Sequence, residues 1–197
     1  MDLKEYNLVL ASQSPRRSEL LKALDIDFSI RVIETDESFP ASLPSAEVAE
    51  YIANKKAEAH LKSISNNELI ITADTVVVHN EVIYGKPKTK DEAIETLQIL
   101  SDDIHLVYTG VCMMTHNNIK SFTCKSEVKF STISNSEAHF YYDKYRPDDK
   151  AGSYGIQDWM GMAKVEWIKG SYNNIVGLPT AQLYIELSEF LKLNCAT

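Results

Sequence analysis

Leu69-Ile70-Ile71-Thr72-Ala73-Asp74-Thr75-Val76-Val77-Val78 is apolar almost throughout. A strand with one wet face alternates apolar and polar residues. A run without alternation belongs to a strand covered on both faces. Such a strand needs helices on each side of its sheet, and the flanking sequence supplies them. Strand-like and helix-like segments alternate along the whole chain, which predicts an α/β fold.

Upstream, residues 8–11 read as a short buried strand, 15–24 as a helix and 28–33 as a second strand. Pro44-Ser45 opens a helix to about residue 61. Downstream, His79-Asn80 is a turn into the strand residues 81–84. Thr89-Lys90-Asp91-Glu92 is a capping box that starts a helix to about residue 100. Residues 104–115 and 119–133 read as long strands joined by the turn His116-Asn117-Asn118. Ser134 to Glu137 is a second capping box, for a helix to about residue 145. Residues 150–177 are rich in glycine and aromatics and carry no regular period, and a last helix spans about 179–193. The hairpins require antiparallel pairs, so the sheet should be mixed. No repeat, low-complexity tract or linker divides the chain, so residues 1–197 are read as a single domain.

The formal net charge is −8. A protein that wraps nucleic acid needs a basic surface to displace counterions, so this balance argues against a nucleic-acid partner. A small anionic ligand needs only a local basic pocket. No apolar run approaches the roughly 18 residues of a membrane helix, which argues against a membrane partner. Met1-Asp2-Leu3-Lys4-Glu5-Tyr6 lacks the pattern of a signal peptide, and the expectation is a cytoplasmic protein. Cys112, Cys124 and Cys195 form no metal-binding spacing and read as reduced structural thiols.

Against this background a few charged residues stand in unexpected places. Ser12-Gln13-Ser14-Pro15-Arg16-Arg17 follows the first strand. Ser14 suits an N-cap and Pro15 the first helical position. Arg16 and Arg17 then occupy the first turn, where the helix dipole disfavours cations. A bound anion reverses that sign, because backbone N–H groups, the Ser12 and Ser14 hydroxyls and two guanidiniums converge on it. The alternative is that both arginines lie in solvent. Lys56 falls within the apolar arc of Val48, Ala49, Ile52, Ala53, Ala57 and Ala59, so it either snorkels outward or faces an anion. Asp74 interrupts the apolar strand and needs an ion-pair partner, a metal or water. Asp36-Glu37 lies in a loop, and Gly85-Lys86-Pro87 closes a hairpin with Lys86 projecting from it. Together the cations could hold a polyphosphate, while Glu37 and Asp74 could hold Mg²⁺, which prefers oxygen ligands. Neither a P-loop nor a dinucleotide fingerprint is present.

The chain resembles the Maf family of nucleotide pyrophosphatases. The resemblance runs through Leu10-Ala11-Ser12-Gln13-Ser14-Pro15-Arg16-Arg17, Asp36-Glu37, Lys56-Ala57, Ala73-Asp74-Thr75-Val76-Val77 and Gly85-Lys86-Pro87. It continues through His105, Thr109-Gly110, Lys150-Ala151-Gly152-Ser153-Tyr154-Gly155-Ile156-Gln157 and Gly170-Ser171-Tyr172-Asn173-Asn174-Ile175-Val176-Gly177-Leu178-Pro179. It implies a fold like that of the inosine-triphosphate pyrophosphatases, with two lobes around a cleft, and a homodimer. It also implies hydrolysis of a nucleoside triphosphate to the monophosphate and pyrophosphate with a divalent cation, Mg²⁺ or Mn²⁺. On this resemblance Asp74 is the catalytic base, and Glu37 and Asp74 are the metal ligands. Ser12, Ser14, Arg16, Lys56 and Lys86 bind the phosphates. Arg17, Thr75 and Gln157 match the selectivity positions of the dTTP/UTP type, rather than the 7-methyl-GTP type. Three stretches depart from the family pattern. Asp102-Asp103 replaces a Ser-Gly turn, Asp158-Trp159 follows Gln157 where glycine is usual, and Thr180 replaces an apolar residue. The rival class is a nucleotide-binding regulator of septum formation that does not hydrolyse its ligand.

Overall fold

A computed structural model of the chain describes residues 6–194. Met1 to Glu5, which open the segment read above for an export signal, and Cys195 lie outside the described residues. The elements follow in the order β1 (Asn7–Leu10), α1 (Pro15–Lys22), β2 (Ser29–Ile30), α2 (Ser45–Glu58), β3 (Glu68–His79) and β4 (Val82–Tyr84). Then come α3 (Lys90–Leu100), β5 (Ile104–Met114), β6 (Ile119–Phe130), α4 (Asn135–Tyr145), α5 (Trp159–Lys164), β7 (Val165–Lys169), α6 (Tyr172–Val176) and α7 (Thr180–Asn194). The strands form a seven-stranded sheet in the order β2-β1-β3-β5-β6-β7, with β4 added on β3. It is mixed, as the hairpins required. β1 is parallel to β2 and β3, whereas β3–β4 and β6–β7 are antiparallel.

β3 is buried along its length except at Glu68, Asp74 and Thr75. The continuous apolar run therefore reports a strand covered on both faces, and the one interior break falls on the charged residue and its neighbour.

The chain divides into two compact units. The first comprises the residues up to Asp74, Thr109–Cys124 and the chain from Gly177 onward. Its strands alternate strictly between two apolar layers. Leu8, Leu10, Leu69 and Ile71 pack with Leu21 of α1 and with Leu183, Leu187 and Phe190 of α7. Val9, Ile70 and Cys112 face the opposite way, onto Ala53 and Ala57 of α2. Burying each large side chain contributes roughly 1.5–3 kcal/mol. The alanines let α2 lie close to the sheet, and Gly110 makes that approach possible. A Cβ on Gly110 would sit 2.2 Å from the Glu50 nitrogen. The Thr72 hydroxyl donates to the Ala53 carbonyl at 2.7 Å and fixes the helix along its axis. Cys112 is buried within this unit, which pushes its thiol pKa up to about 12, as expected of a structural thiol.

The second unit comprises Thr75–Tyr108 and Lys125–Val176. Its helices begin where the capping signals placed them. The Thr89 hydroxyl accepts from the Glu92 N–H at 3.1 Å, although the Glu92 carboxylate takes the Lys88 N–H at 2.8 Å and so does not close the expected box on Thr89. Ser134 and Glu137, by contrast, form a reciprocal capping box. An aromatic cluster of His105, Phe130 and Tyr154 fills its interior. The aperiodic residues 150–177 resolve into one 3₁₀ turn (Ala151–Ser153), α5, β7 and α6.

Several expected elements end early, α1 among them at Lys22. The strand expected over 28–33 is only Ser29–Ile30, because β1 stops at Leu10 and offers nothing further to pair with. The last ladder bond runs from the Arg31 N–H to the Leu10 carbonyl. The helix expected to reach residue 61 ends at Glu58, where the His60 and Leu61 N–H groups bond three residues back and tighten the final turn. The strand expected to reach 133 ends at Phe130, after a register shift at Lys129/Phe130. Among the described residues, no helix is long and apolar enough to cross a membrane.

Candidate active site

Asp74 is carried by β3, and Lys56 by the last turns of α2. Lys56 does not snorkel outward. Its Nζ lies 2.7 Å from Asp74 Oδ1 and 2.7 Å from Glu37 Oε1. The Lys56 and Asp74 side chains are largely withdrawn from solvent, at 17% and 13% exposure, while Glu37 is half-exposed. One ammonium therefore holds two carboxylates together, and the set carries one net negative charge. Asp74 does have the ion-pair partner that its burial demands.

The loop after β1 is built as its sequence suggested. Ser14 caps α1, Pro15 takes the first helical position, and the Ser14 N–H donates to the buried Ser12 hydroxyl at 3.2 Å. The two arginines differ. Arg17 turns back into the protein, where Nε donates to the Gly177 carbonyl at 2.8 Å and Nη1 to the Ala73 carbonyl at 2.8 Å. Nη1 also lies 3.4 Å from the Ser12 hydroxyl. Burial lowers its pKa below the ordinary guanidinium value, and the field of Asp74 opposes that shift. Arg17 thus ties the strand immediately before Asp74 to Gly177, and is not left in solvent. Arg16 lies in the same first turn and is half-buried.

Glu37 sits in a loop without regular structure, so something must hold it. Lys55, the neighbour of Lys56, reaches the same loop. Its Nζ lies 3.3 Å from Asp36 Oδ2 and donates to the Ser38 carbonyl at 2.8 Å. The Ser38 hydroxyl and N–H both donate to the Asp36 carboxylate. Those bonds, with Lys55, hold the Asp36 pKa down to about 2. Consecutive lysines thus grip consecutive acids. The sequence reading missed Lys55, and the adjacency of Asp36-Glu37 and Lys55-Lys56 was the signal available.

As a cation site, Glu37 and Asp74 supply hard carboxylate oxygens around a point already occupied by a positive charge. Among the described residues, no group of three or more His, Cys, Asp or Glu side chains could hold a metal ion. A donor set of two carboxylates fits a cation that takes its remaining oxygens from water and phosphate, as Mg²⁺ does, and not a zinc cage.

The first unit contains Ser12, Ser14, Arg16, Arg17, Glu37, Lys56 and Asp74, and within it Lys56 joins Glu37 to Asp74. Thr75, Lys86 and Gln157 belong to the second unit. Thr75 follows Asp74 on β3 and is half-buried. Lys86 is exposed beyond β4, and the neighbouring Gly85 carbonyl accepts from the Gly152 N–H at 3.1 Å. Gln157 is exposed between the buried Ile156 and the start of α5. The departure at Asp102 has a simple explanation. It adopts a left-handed φ of 54°, which aspartate tolerates better than most residues.

The model of the family described as Maf-like protein matches residues 7–190. The chain is 50% identical over 190 residues to a Parabacteroides distasonis protein named dTTP/UTP pyrophosphatase, covering 96% of this chain and 98% of that one. A Bacteroides thetaiotaomicron protein of the same name is 46% identical, with 95% and 98% covered. Among solved structures, the Staphylococcus aureus Ham1 protein aligns with a TM-score of 0.52 over 91% of this chain and 99% of that one. At 17% identity that likeness concerns the fold.

Proposed function

This chain belongs to the Maf-like protein family, and from that premise we propose that it is a nucleoside-triphosphate pyrophosphatase hydrolysing dTTP and UTP to the monophosphate and pyrophosphate. The observation that carries the reading is Lys56, held 2.7 Å from both Glu37 and Asp74. A lysine between one largely buried and one half-exposed carboxylate can exchange partners when a polyphosphate arrives. The ammonium passes to phosphate oxygens, and both carboxylates are released for other work. The names of the relatives support the same substrates.

Glu37 and Asp74 would hold a divalent cation, Mg²⁺ or Mn²⁺, whose charge offsets that of the triphosphate. Arg16, Lys56, Lys86, the Ser12 and Ser14 hydroxyls and the N–H groups opening α1 would bind phosphate oxygens. Asp74 would take a proton from the water whose oxygen attacks the α-phosphorus. The bond from that phosphorus to the bridging oxygen breaks, and pyrophosphate leaves with the electron pair. Positioning and charge stabilisation dominate such reactions. Gln157, offering a donor and an acceptor, would read the O4 and N3–H edge of uracil or thymine, with Arg17 and Thr75 completing selectivity. A cytoplasmic homodimer without nucleic-acid or membrane partners completes the proposal. It is supported by the family resemblance and the net charge of −8, and sedimentation of the purified chain tests the dimer.

The deciding experiment incubates the purified chain with dTTP, UTP, CTP, GTP and 7-methyl-GTP plus Mg²⁺ or Mn²⁺ and measures pyrophosphate. Release should be fastest from dTTP and UTP. Release mainly from 7-methyl-GTP would overturn the substrate, and none from any nucleotide would overturn the activity.

A further inference from the structure

Gln157 occupies a β-turn that is fastened from below. The Asp158 N–H donates to the Gly155 carbonyl at 3.1 Å, closing Gly155-Ile156-Gln157-Asp158 as a four-residue turn. One buried hydroxyl then binds both ends. The Gly155 N–H donates to the Tyr141 oxygen at 2.9 Å, and the Tyr141 O–H donates to Asp158 Oδ2 at 2.9 Å. Tyr141 is fully buried in α4 and stacks on Tyr145, with ring centroids 5.1 Å apart. Lys150 Nζ stands 3.8 Å from the same Asp158 oxygen. Two glycines admit the arrangement. A Cβ on Gly155 would lie 2.5 Å from Asp158 Oδ2, and one on Gly161 would lie 1.9 Å from the Ile156 carbonyl oxygen. Ile156 is buried, so Gln157 alone projects from the turn.

We propose that Tyr141 and Asp158 are positioning residues for substrate selectivity, fixing the turn that presents Gln157 to the pyrimidine base. The inference rests on the reading of Gln157 given above. An amide discriminates between bases only when its donor and acceptor are offered in one arrangement, and a side chain on a loose loop loses affinity to the ordering it must undergo. Here the backbone carrying the amide is ordered before any ligand arrives, by a hydroxyl that need never touch substrate. Asp158 is one of the positions at which this chain departs from its family pattern. The clamp is therefore a property of this sequence and of others with an acceptor at that position.

UTP and CTP differ only at the edge that Gln157 would read, so the ratio of their kcat/KM values isolates the contact. Tyr141→Phe removes the hydroxyl and keeps the ring. It should lower the UTP-to-CTP ratio about fivefold to tenfold, roughly the effect of misplacing one hydrogen bond. The effect should fall on the KM for UTP more than on kcat. Asp158→Ala should act in the same direction, while Asp158→Asn, which keeps an acceptor for Tyr141, should restore the ratio. Asp158 lies nearer the surface than Tyr141, so the Asp158 pair tests the idea even if Tyr141→Phe fails to fold. Gln157→Ala is measured in parallel. If it collapses the ratio while Tyr141→Phe and Asp158→Ala leave it intact, the clamp is overturned and the reading of Gln157 stands. If Gln157→Ala itself leaves the ratio intact, the reading of Gln157 falls, and the clamp with it.

Discussion

Asp74 illustrates how a residue becomes noticeable by being the wrong type for its place. Aspartate is disfavoured in strands, and an ionised carboxylate in an apolar run must be compensated. Lys56 supplies that compensation, and it was visible for the same reason, as a cation inside an apolar helical arc. If Asp74 is the base, Asp74→Asn keeps the shape of the side chain and an oxygen for Lys56 but cannot take a proton. Turnover should fall at least ~100-fold, the usual contribution of a general base, while dTTP binding measured by calorimetry persists. Wild-type turnover in that variant would exclude Asp74 as base. Lys55 was not visible in this way. A lysine beside another lysine on a half-exposed helix reads as a solvated face, and its partner Asp36 lies in a loop whose path no periodicity encodes. Tyr141 is a further case, since a tyrosine in a helix looks like core until the turn it clasps is known.

Elements with local signals were legible, and those shaped by distant contacts were not. The start of α4 is written in Ser134 and Glu137, whose side chains satisfy each other's backbone N–H groups. Ser134→Ala should cost about 1 kcal/mol in a urea titration, the usual value of an N-cap. Residues 150–177 contain no comparable local instruction. Gly152 takes a φ of 68° against Val77, and a Cβ there would meet that side chain at 2.7 Å, so its conformation is set by a strand far away in sequence. Gly110 shows the same dependence with a functional consequence. Because α2 rests on its bare Cα, Gly110→Ala must displace the helix that carries Lys55 and Lys56. It should destabilise the protein by about 1–3 kcal/mol and depress pyrophosphate release even at temperatures where the fold persists. Gly85→Ala is the control. Nothing lies within 4 Å of a Cβ at that position, so the stability change should stay within about 0.5 kcal/mol. Equal losses from both substitutions would mean that Gly110 is not relieving a steric contact.

At the scale of the molecule, the first unit buries His60 and the second buries His79 and His105, and the two whose pKa burial lowers, His60 and His105, shape how the protein responds to acid. His105 is fully buried, with Nε2 2.7 Å from the Tyr154 hydroxyl. Burial, then the nearby His79, pushes its pKa down to about 3. Burial and Arg31 lower that of His60 as well. In the unfolded chain both titrate near the ordinary value of about 6.5. Below that pH the unfolded state binds protons that the folded state refuses, so stability must fall as the pH drops. The histidine contribution is therefore complete above about pH 6.5 and is lost progressively toward pH 3, the folded-state value for His105. The carboxylates held low by partners, Asp36 and Glu137 at about 2 among them, lose their contribution only below about pH 4, where unfolded carboxylates protonate. The interval from pH 6.5 to 4.5 thus isolates the histidines. Unfolding free energies from urea titrations should decline through that interval, by up to roughly 1 kcal/mol per pH unit from His105 alone. His105→Gln keeps a partner for Tyr154 but does not titrate. Its absolute stability should be lower and its slope between pH 6.5 and 4.5 shallower than that of the wild type. A wild-type stability flat across the interval would mean that the folded protein accommodates a charged His105, contrary to the burial of its ring among Phe130 and Tyr154.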